Sequence, residues 1–169
     1  HKIVAEKLNA VVNGKIKRLI VNMPPRHTKS EFASIHFPAW YMGNKPKAKI
    51  MQTTHTGELA VGFGRKVRNL IDSEEFKEVF PDVTLNADNK SAGRWSTNKG
   101  GEYFAAGVGG AVTGRGADLL IIDDPHSEQD ALSPNLLEHC WEWYTSGPRQ
   151  RLQPGGTIVV VMTRWSTLD

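Results

Sequence analysis

The chain has 169 residues, of which 39% are hydrophobic and 23% charged, a balance that points away from a disordered or membrane-embedded chain and suits one globular domain. Twenty-one Lys and Arg against eighteen Asp and Glu leave a formal net charge of +3, a mild bias that fits a polyanionic partner and an ordinary soluble protein equally well. The single cysteine, Cys140, rules out an internal disulfide or a thiolate cluster for zinc and fits a reducing compartment; the longest apolar runs fall far short of the roughly 20 residues of a membrane helix, and no signal peptide is apparent.

Ile3, Val4, Leu8, Val11 and Val12 recur at helical spacing, with Gly14 as a stop, so the first thirteen residues read as an amphipathic helix. Leu19-Ile20-Val21 is a short apolar run that reads as a strand buried on both sides in a parallel sheet, followed by a turn from Met23 to Thr28. Lys29 to Met42 reads as a helix ending before Gly43 and kinked by Pro38. A second strand, Ala48 to Thr53, precedes a helix from Thr56 to Ile71. This repeated alternation predicts a three-layer α/β fold with a mainly parallel sheet.

Asp72 and Glu75 stand at capping-box spacing before the segment Phe76 to Phe80. Arg94 to Thr97 and Glu102 to Ala106, joined by Asn98-Lys99-Gly100-Gly101, read as a hairpin. A glycine-rich stretch from Gly107 to Gly116 leads to the apolar strand Leu119-Leu120-Ile121-Ile122, closed by Asp123-Asp124-Pro125. Ser133 and Pro134 open another helix as N-cap and first residue, and Pro154-Gly155-Gly156 makes a turn before the last strand, Thr157 to Thr163. An opening His1 without Met, and an end at Asp169 just after an apolar strand, suggest a piece of a longer protein.

Three strand ends carry candidate chemistry. In Leu19 to Ser30, LIVNMPPRHTKS, a strand ends in a tight turn and Lys-Ser opens a helix, the layout of a phosphate-binding loop. Lys29 would neutralise phosphate charge and the Ser30 hydroxyl would ligate Mg²⁺, although the usual glycines six and one residues before the lysine are Met23 and Thr28. At Leu119 to Asp124 a strand delivers two adjacent carboxylates, suited to holding Mg²⁺ (Asp123) and orienting an attacking water (Asp124). Thr163 ends the third strand, which can sit between the other two, and is a candidate sensor of the γ-phosphate. Arg26 in the loop and Arg115 in the TGRG segment are candidates for stabilising transferred phosphoryl charge, Arg115 preferably in a neighbouring subunit. His27 and His126 lack a third ligand at useful spacing and read as local hydrogen bonders. Tryptophans 40, 95, 141, 143 and 165 read as core and surface anchors rather than as a base-stacking surface.

Taken together, MPPRHTKSE at Met23 to Glu31, GGAVTGRGADLLIIDDP at Gly109 to Pro125 and VVVMTRW at Val159 to Trp165 resemble the ATPase domain of phage terminase large subunits, whose loops are of the PPRHGKS kind. That resemblance implies a P-loop NTPase fold over residues 1–169, with an additional strand between the phosphate-loop and Asp-Asp strands. It implies ATP and Mg²⁺ as cofactors, with Pro24, Pro25, Arg26, His27, Thr28, Lys29 and Ser30 around the nucleotide, Ser30 and Asp123 on the metal, Asp124 as catalytic carboxylate and Thr163 in the coupling motif. The usual residue in the final catalytic slot is Glu, so Asp124 is a departure. The implied activity is ATP-driven packaging of double-stranded viral DNA, with portal protein and small terminase subunit as partners. The implied setting is a homo-oligomeric ring docked on the procapsid in the cytoplasm of an infected bacterium. Family members add a nuclease domain, expected here beyond residue 169, so no nuclease activity is expected of this chain. A helicase-like DNA-dependent ATPase, or a nucleotide- or DNA-binding domain without hydrolysis, would share the same strand-end features.

Overall fold

The computed structural model describes residues 1–168; Asp169, the last residue of the expected domain, lies outside them. The elements in chain order are α1 (Lys2–Val12), β1 (Arg18–Asn22), a π-helical turn (Glu31–His36) running into α2 (Phe37–Asn44), β2 (Lys49–Thr54), α3 (Gly57–Ile71), α4 (Glu74–Val79), β3 (Leu85–Ser91), β4 (Arg94–Thr97), β5 (Glu102–Gly107), β6 (Ala117–Asp123), α5 (Pro134–Ser146) and β7 (Leu152–Met162). Short 3-10 turns at Asp130–Leu132 and Pro148–Arg151 flank α5.

The strands form one seven-stranded sheet in the order β1-β7-β6-β2-β5-β4-β3. β1, β7, β6, β2 and β5 are parallel, while β4 and β3 are antiparallel additions. The fold is mixed α/β with a mostly parallel sheet, and the carboxyl ends of five parallel strands share one edge. Side chains of β6 alternate between faces. Leu119 and Ile121 join a core with Leu8, Phe37 and Val67 under α1, α2 and α3, whereas Leu120 and Ile122 pack with Ile158, Trp143 and Tyr144 under α5. Trp95 and Tyr103, both fully buried, stack 4.7 Å apart, and the Trp95 indole N–H donates to the Gly64 carbonyl.

Several expectations are corrected. β1 is not buried on both sides: it is the sheet's edge strand, paired only with β7, and Ile20 is 67% exposed. An apolar triplet marks a strand but carries no information about its rank in the sheet. The helix after the loop continues through Gly43 to Asn44: Gly43 serves close packing against the Phe80 ring, where a side chain would collide, rather than a helix stop. Pro38 is accommodated by the π-helical turn just upstream, since a proline removes an N–H and crowds the carbonyl four residues back, here Ser34. Asp72 is the C-cap of α3, and Ser73 caps α4 instead, its hydroxyl accepting from the Phe76 N–H. Ser133 is the N-cap of α5, but its side chain makes no capping bond. Pro154-Gly155-Gly156 lies inside the bounds of β7, as an irregularity between the pairs Ala117–Leu152 and Leu119–Thr157. β3 is invisible to the sequence pattern because LNADNKS has no apolar alternation.

At Gly64, α3 passes so close to the turn between β3 and β4 that an added Cβ would strike the Ala92 carbonyl. A backbone oxygen cannot swing aside as a side chain can, so the clash outweighs the helical preference of Ala over Gly. Gly64→Ala is therefore expected to destabilise the fold by about 1–2 kcal/mol, read as a lower urea midpoint at unchanged slope.

Candidate functional site at the carboxyl edge of the sheet

The strands β1, β7 and β6 lie side by side, and their carboxyl ends bring Lys29, Ser30, Asp123, Asp124 and Thr163 into direct contact. Open α/β sheets bind ligands at this edge because loops diverge there. The Lys29 ammonium is 2.7 Å from Asp124 Oδ2. Ser30 Oγ donates to Asp123 Oδ1 at 3.0 Å. The Thr163 N–H donates to Asp124 Oδ1 at 2.9 Å, and its hydroxyl donates to the Met23 carbonyl at 3.3 Å, so Thr163 joins the loop after β1 to the carboxylate after β6.

Loop conformation accounts for the two missing glycines differently. Thr28 has φ +60° and Arg26 φ +62°, the left-handed region that glycine adopts without cost. Thr28, at the second glycine position of the expected pattern, is left-handed, and Met23, at the first, is not. Lys29, which follows, is buried at 8% exposure, whereas Pro24, Pro25, Arg26, His27 and Thr28 are exposed on the loop. His27 Nδ1 lies 2.9 Å from the Pro25 carbonyl, a bond local to the loop as expected.

Asp124 is also left-handed, at φ +42°, and its surroundings over-determine that strained geometry. Its N–H donates to the Val161 carbonyl at 2.8 Å, and its carbonyl accepts from the His55 N–H at 3.2 Å and from Thr54 Oγ1 at 3.4 Å. Strand ends β7 and β2 therefore aim the carboxylate towards Lys29.

Asp123 is 1% exposed. Burial raises its pKa, against which the hydroxyls of Ser34 and Ser30 pull down, while the neighbouring Asp124 charge adds to the rise and Lys29 opposes it. Ser34 is absent from the residues singled out by sequence, and its Oγ donates to Asp123 Oδ2 at 2.6 Å. The signal available was Pro38, four residues on, which announces an irregular helix around Ser34. Gln52 is absent from them as well. It is a fully buried amide within β2, and because Thr53 and Thr54 follow it in sequence nothing local marks it as buried.

Arg26 stands in the loop, but Arg115 is not brought to these groups. It precedes the amino end of β6, whereas Asp123 ends that strand, and its guanidinium lies over the Phe104 ring, 4.2 Å from the centroid. His126 is corrected as a local hydrogen bonder: it is buried, and its Nδ1 has no partner among the described residues. Cys140 is free, and burial, with Asp130 nearby, pushes its thiol up to about 11. Among the described residues no group of three His, Cys, Asp or Glu could hold a metal ion, and no helix is long and apolar enough to cross a membrane. An apolar cleft of about 710 Å³ between α1 and α4 includes none of the strand-end residues.

The Asp123 shift has a definite sign. Its folded pKa lies above the ordinary 3.8, so as pH rises the unfolded chain ionises first and the native state loses relative stability. Compared with the non-titrating Asp123→Asn, the wild type should lose stability as pH rises from about 4 towards neutrality. Urea melts of both proteins across that range check the trend, and a difference independent of pH would contradict it.

No model of a known protein family and no curated protein matches the chain. Among solved structures, the crystal structure of the large terminase of bacteriophage HK97 is similar at 12% identity and a TM-score of 0.48, covering 88% of this chain and 29% of that one. The chain thus spans under a third of that protein's length.

Proposed function

We propose that this chain is the ATP-hydrolysing motor domain of a terminase large subunit, in which Mg·ATP hydrolysis drives double-stranded DNA into a viral procapsid. The observation that carries the reading is the contact of Lys29 and Ser30, at the start of one helix, with Asp124 and Asp123, at the end of β6, at 2.7 and 3.0 Å. The sequence resemblance at the same three strand ends supports it, as does the placing of β7, which Thr163 follows, between β1 and β6. That strand order is the one the P-loop reading with an additional strand requires.

The donor set fits a Mg²⁺ nucleotide. A hydroxyl and a carboxylate adjoin each other, few in number, as suits a cation that keeps several waters and phosphate oxygens. Bound Mg²⁺ supplies the positive charge that offsets charge on the transferred phosphoryl group. Ser30 and Asp123 would hold that cation, and Pro24 to Thr28 would wrap the phosphates. Lys29 exchanges its Asp124 partner for phosphate oxygens, which frees Asp124 to accept a proton from the attacking water. The carboxylate is therefore neutralised by Lys29 until nucleotide is loaded. Thr163 senses the change through its bonds to Asp124 and to Met23. Arg26 lies where it can act within its own subunit, and Arg115 would act on a neighbour's site in a ring.

The DNA part rests on the family resemblance, and the distribution of charge supports it. Because five strands are parallel, their amino ends share the opposite edge, where Lys15, Lys17 and Arg18 stand at the entry to β1 and Lys45, Lys47 and Lys49 at the entry to β2, Lys49 lying 3.5 Å from Glu102. Lys17, Lys45 and Lys47 line one cleft of about 530 Å³, with Asp118 also on its wall. A basic edge of this kind suits a phosphodiester backbone read without sequence preference. The portal protein, the small subunit and the host cytoplasm belong to the same proposal.

Phosphate release tests the ATPase. Wild type with Mg·ATP should exceed both Lys29→Ala and Asp124→Asn by about 100-fold or more, and equal rates for wild type and Lys29→Ala would defeat the reading. Specific activity should rise with protein concentration in wild type, and that rise should vanish in Arg115→Ala. Duplex DNA affinity should fall in Lys17→Glu/Lys45→Glu/Lys47→Glu, with the slope of log K against log salt shallower by about 0.9 for each phosphate that the variant no longer neutralises.

A further inference from the structure

A chain of buried hydrogen bonds leads from the far half of the sheet to Asp123. The Tyr103 hydroxyl on β5 donates to Gln52 Oε1 at 2.8 Å, Gln52 Nε2 on β2 donates to the Ser34 carbonyl at 3.1 Å, and Ser34 Oγ donates to Asp123 Oδ2 at 2.6 Å. None of the four residues is more than 1% exposed. Each link answers a need set by the one before it. Pro38 removes the N–H that would serve the Ser34 carbonyl in a regular helix, and the Gln52 amide replaces it across the layer between helix and sheet. The amide oxygen would in turn be buried without a donor, and Tyr103 supplies one. An apolar residue at position 52 would avoid burying an amide but would leave a carbonyl and a phenol unpaired.

The outcome of this chain is the orientation of one hydroxyl. A carboxylate turns about a broad two-fold torsion, and Ser30 alone, bonded to Oδ1, does not fix that rotation. Ser34 grips Oδ2 from the opposite, solvent-excluded side. We propose that Ser34, held by Gln52 and Tyr103, is a positioning residue that locks the Asp123 carboxylate and thereby sets the affinity of the neighbouring site for its divalent cation. This rests on the Mg·ATP reading and adds to it a residue and a supporting chain that none of the strand-end motifs contains. Ser34 touches neither nucleotide nor cation; it acts through Asp123, as outer partners orient metal-binding carboxylates elsewhere.

The test measures the Mg²⁺ concentration at which a fixed amount of a slowly hydrolysed ATP analogue reaches half its full effect on the melting temperature. Wild type, Ser34→Ala and Gln52→Leu are compared as the full 169-residue chain, with far-UV circular dichroism to check the fold. The expected result is a Mg²⁺ midpoint raised about 10-fold or more in Ser34→Ala and raised by less in Gln52→Leu, with nucleotide binding recovered at high Mg²⁺. A purely structural role would lower the melting temperature of the free protein and leave the midpoint where it was, which overturns the inference while the ATP reading stands. If Ser34→Ala does not fold, Ser34→Cys keeps the volume with a weaker donor, and an unmoved midpoint there also overturns it. A wild type that gains nothing from Mg²⁺ and the analogue together defeats the ATP reading and this inference with it.

Discussion

A carboxylate with 1% exposure needs hydrogen-bond donors to remain charged, and at Asp123 both come from the segment that follows β1. Those two bonds, from Ser30 and Ser34, determine how that segment meets the sheet. Ser30 and Ser34 are one turn apart, so their side chains lie on one side of the segment, and both must reach the same carboxylate from the loop end and from beneath. The left-handed turns at Arg26 and Thr28 deliver the helix start to β6, and the π-helical turn sets the depth at which Ser34 enters. The apolar packing of Ala33, Ile35 and Phe37 then fits around a register that the polar contacts specify. Hydrophobic burial stabilises the layer without direction, whereas two hydroxyls on one buried carboxylate admit one placement.

The adjacent residue is built on the opposite principle. Asp124 retains 31% side-chain exposure and is paired with Lys29 rather than with hydroxyls. Its strained backbone is held by strand ends on both sides of β6, so the side chain is directed while its oxygens remain open to exchange. Two neighbouring carboxylates thus receive different environments from one strand end: one desolvated and fully bonded, the other exposed enough to change partner. That division follows from the chain's course: Asp123 is the last residue of β6, whereas Asp124 lies beyond the strand in a left-handed turn that points its carboxylate to Lys29.

How much of this is legible in the sequence depends on which kind of signal each element carries. Leu119 to Asp124 declares a strand and an acidic end, although a strand-terminal pair of acids alone serves equally to cap the next turn, and only its company with Lys29, Ser30 and Thr163 singles it out. The five residues singled out at strand ends do meet in space. What a run of apolar residues cannot convey is rank in the sheet, so β1 reads as central although it is an edge. β3 lacks apolar alternation because, as the outermost antiparallel strand, it is without the one-face burial that would impose it: Asn86, Ala87 and Asp88 are exposed. Gln52 and Tyr103 stay hidden, and Ser34 is signalled only indirectly by Pro38, for a related reason: their roles arise from contacts across 18 and 51 positions of sequence, and no local pattern encodes such a contact.

The missing glycines show how a motif and its physics can part. A pattern written in residue types records the cheapest way of reaching a backbone conformation, and that conformation can persist when the residue changes. Thr28 occupies the left-handed region at a cost of roughly 1 kcal/mol that glycine would not bear, yet it also brings a hydroxyl, which donates to the His27 carbonyl at 2.6 Å. A glycine there would remove both the strain and that bond, and it would widen the set of conformations open to the unfolded loop. Thr28 therefore combines the left-handed turn just before Lys29 with a local hydrogen bond. The same reasoning explains Asp124, where a non-glycine residue in a left-handed turn is tolerated because its side chain and neighbours supply the bonds that hold it. Backbone angle, rather than residue identity, is the quantity the two strand ends share.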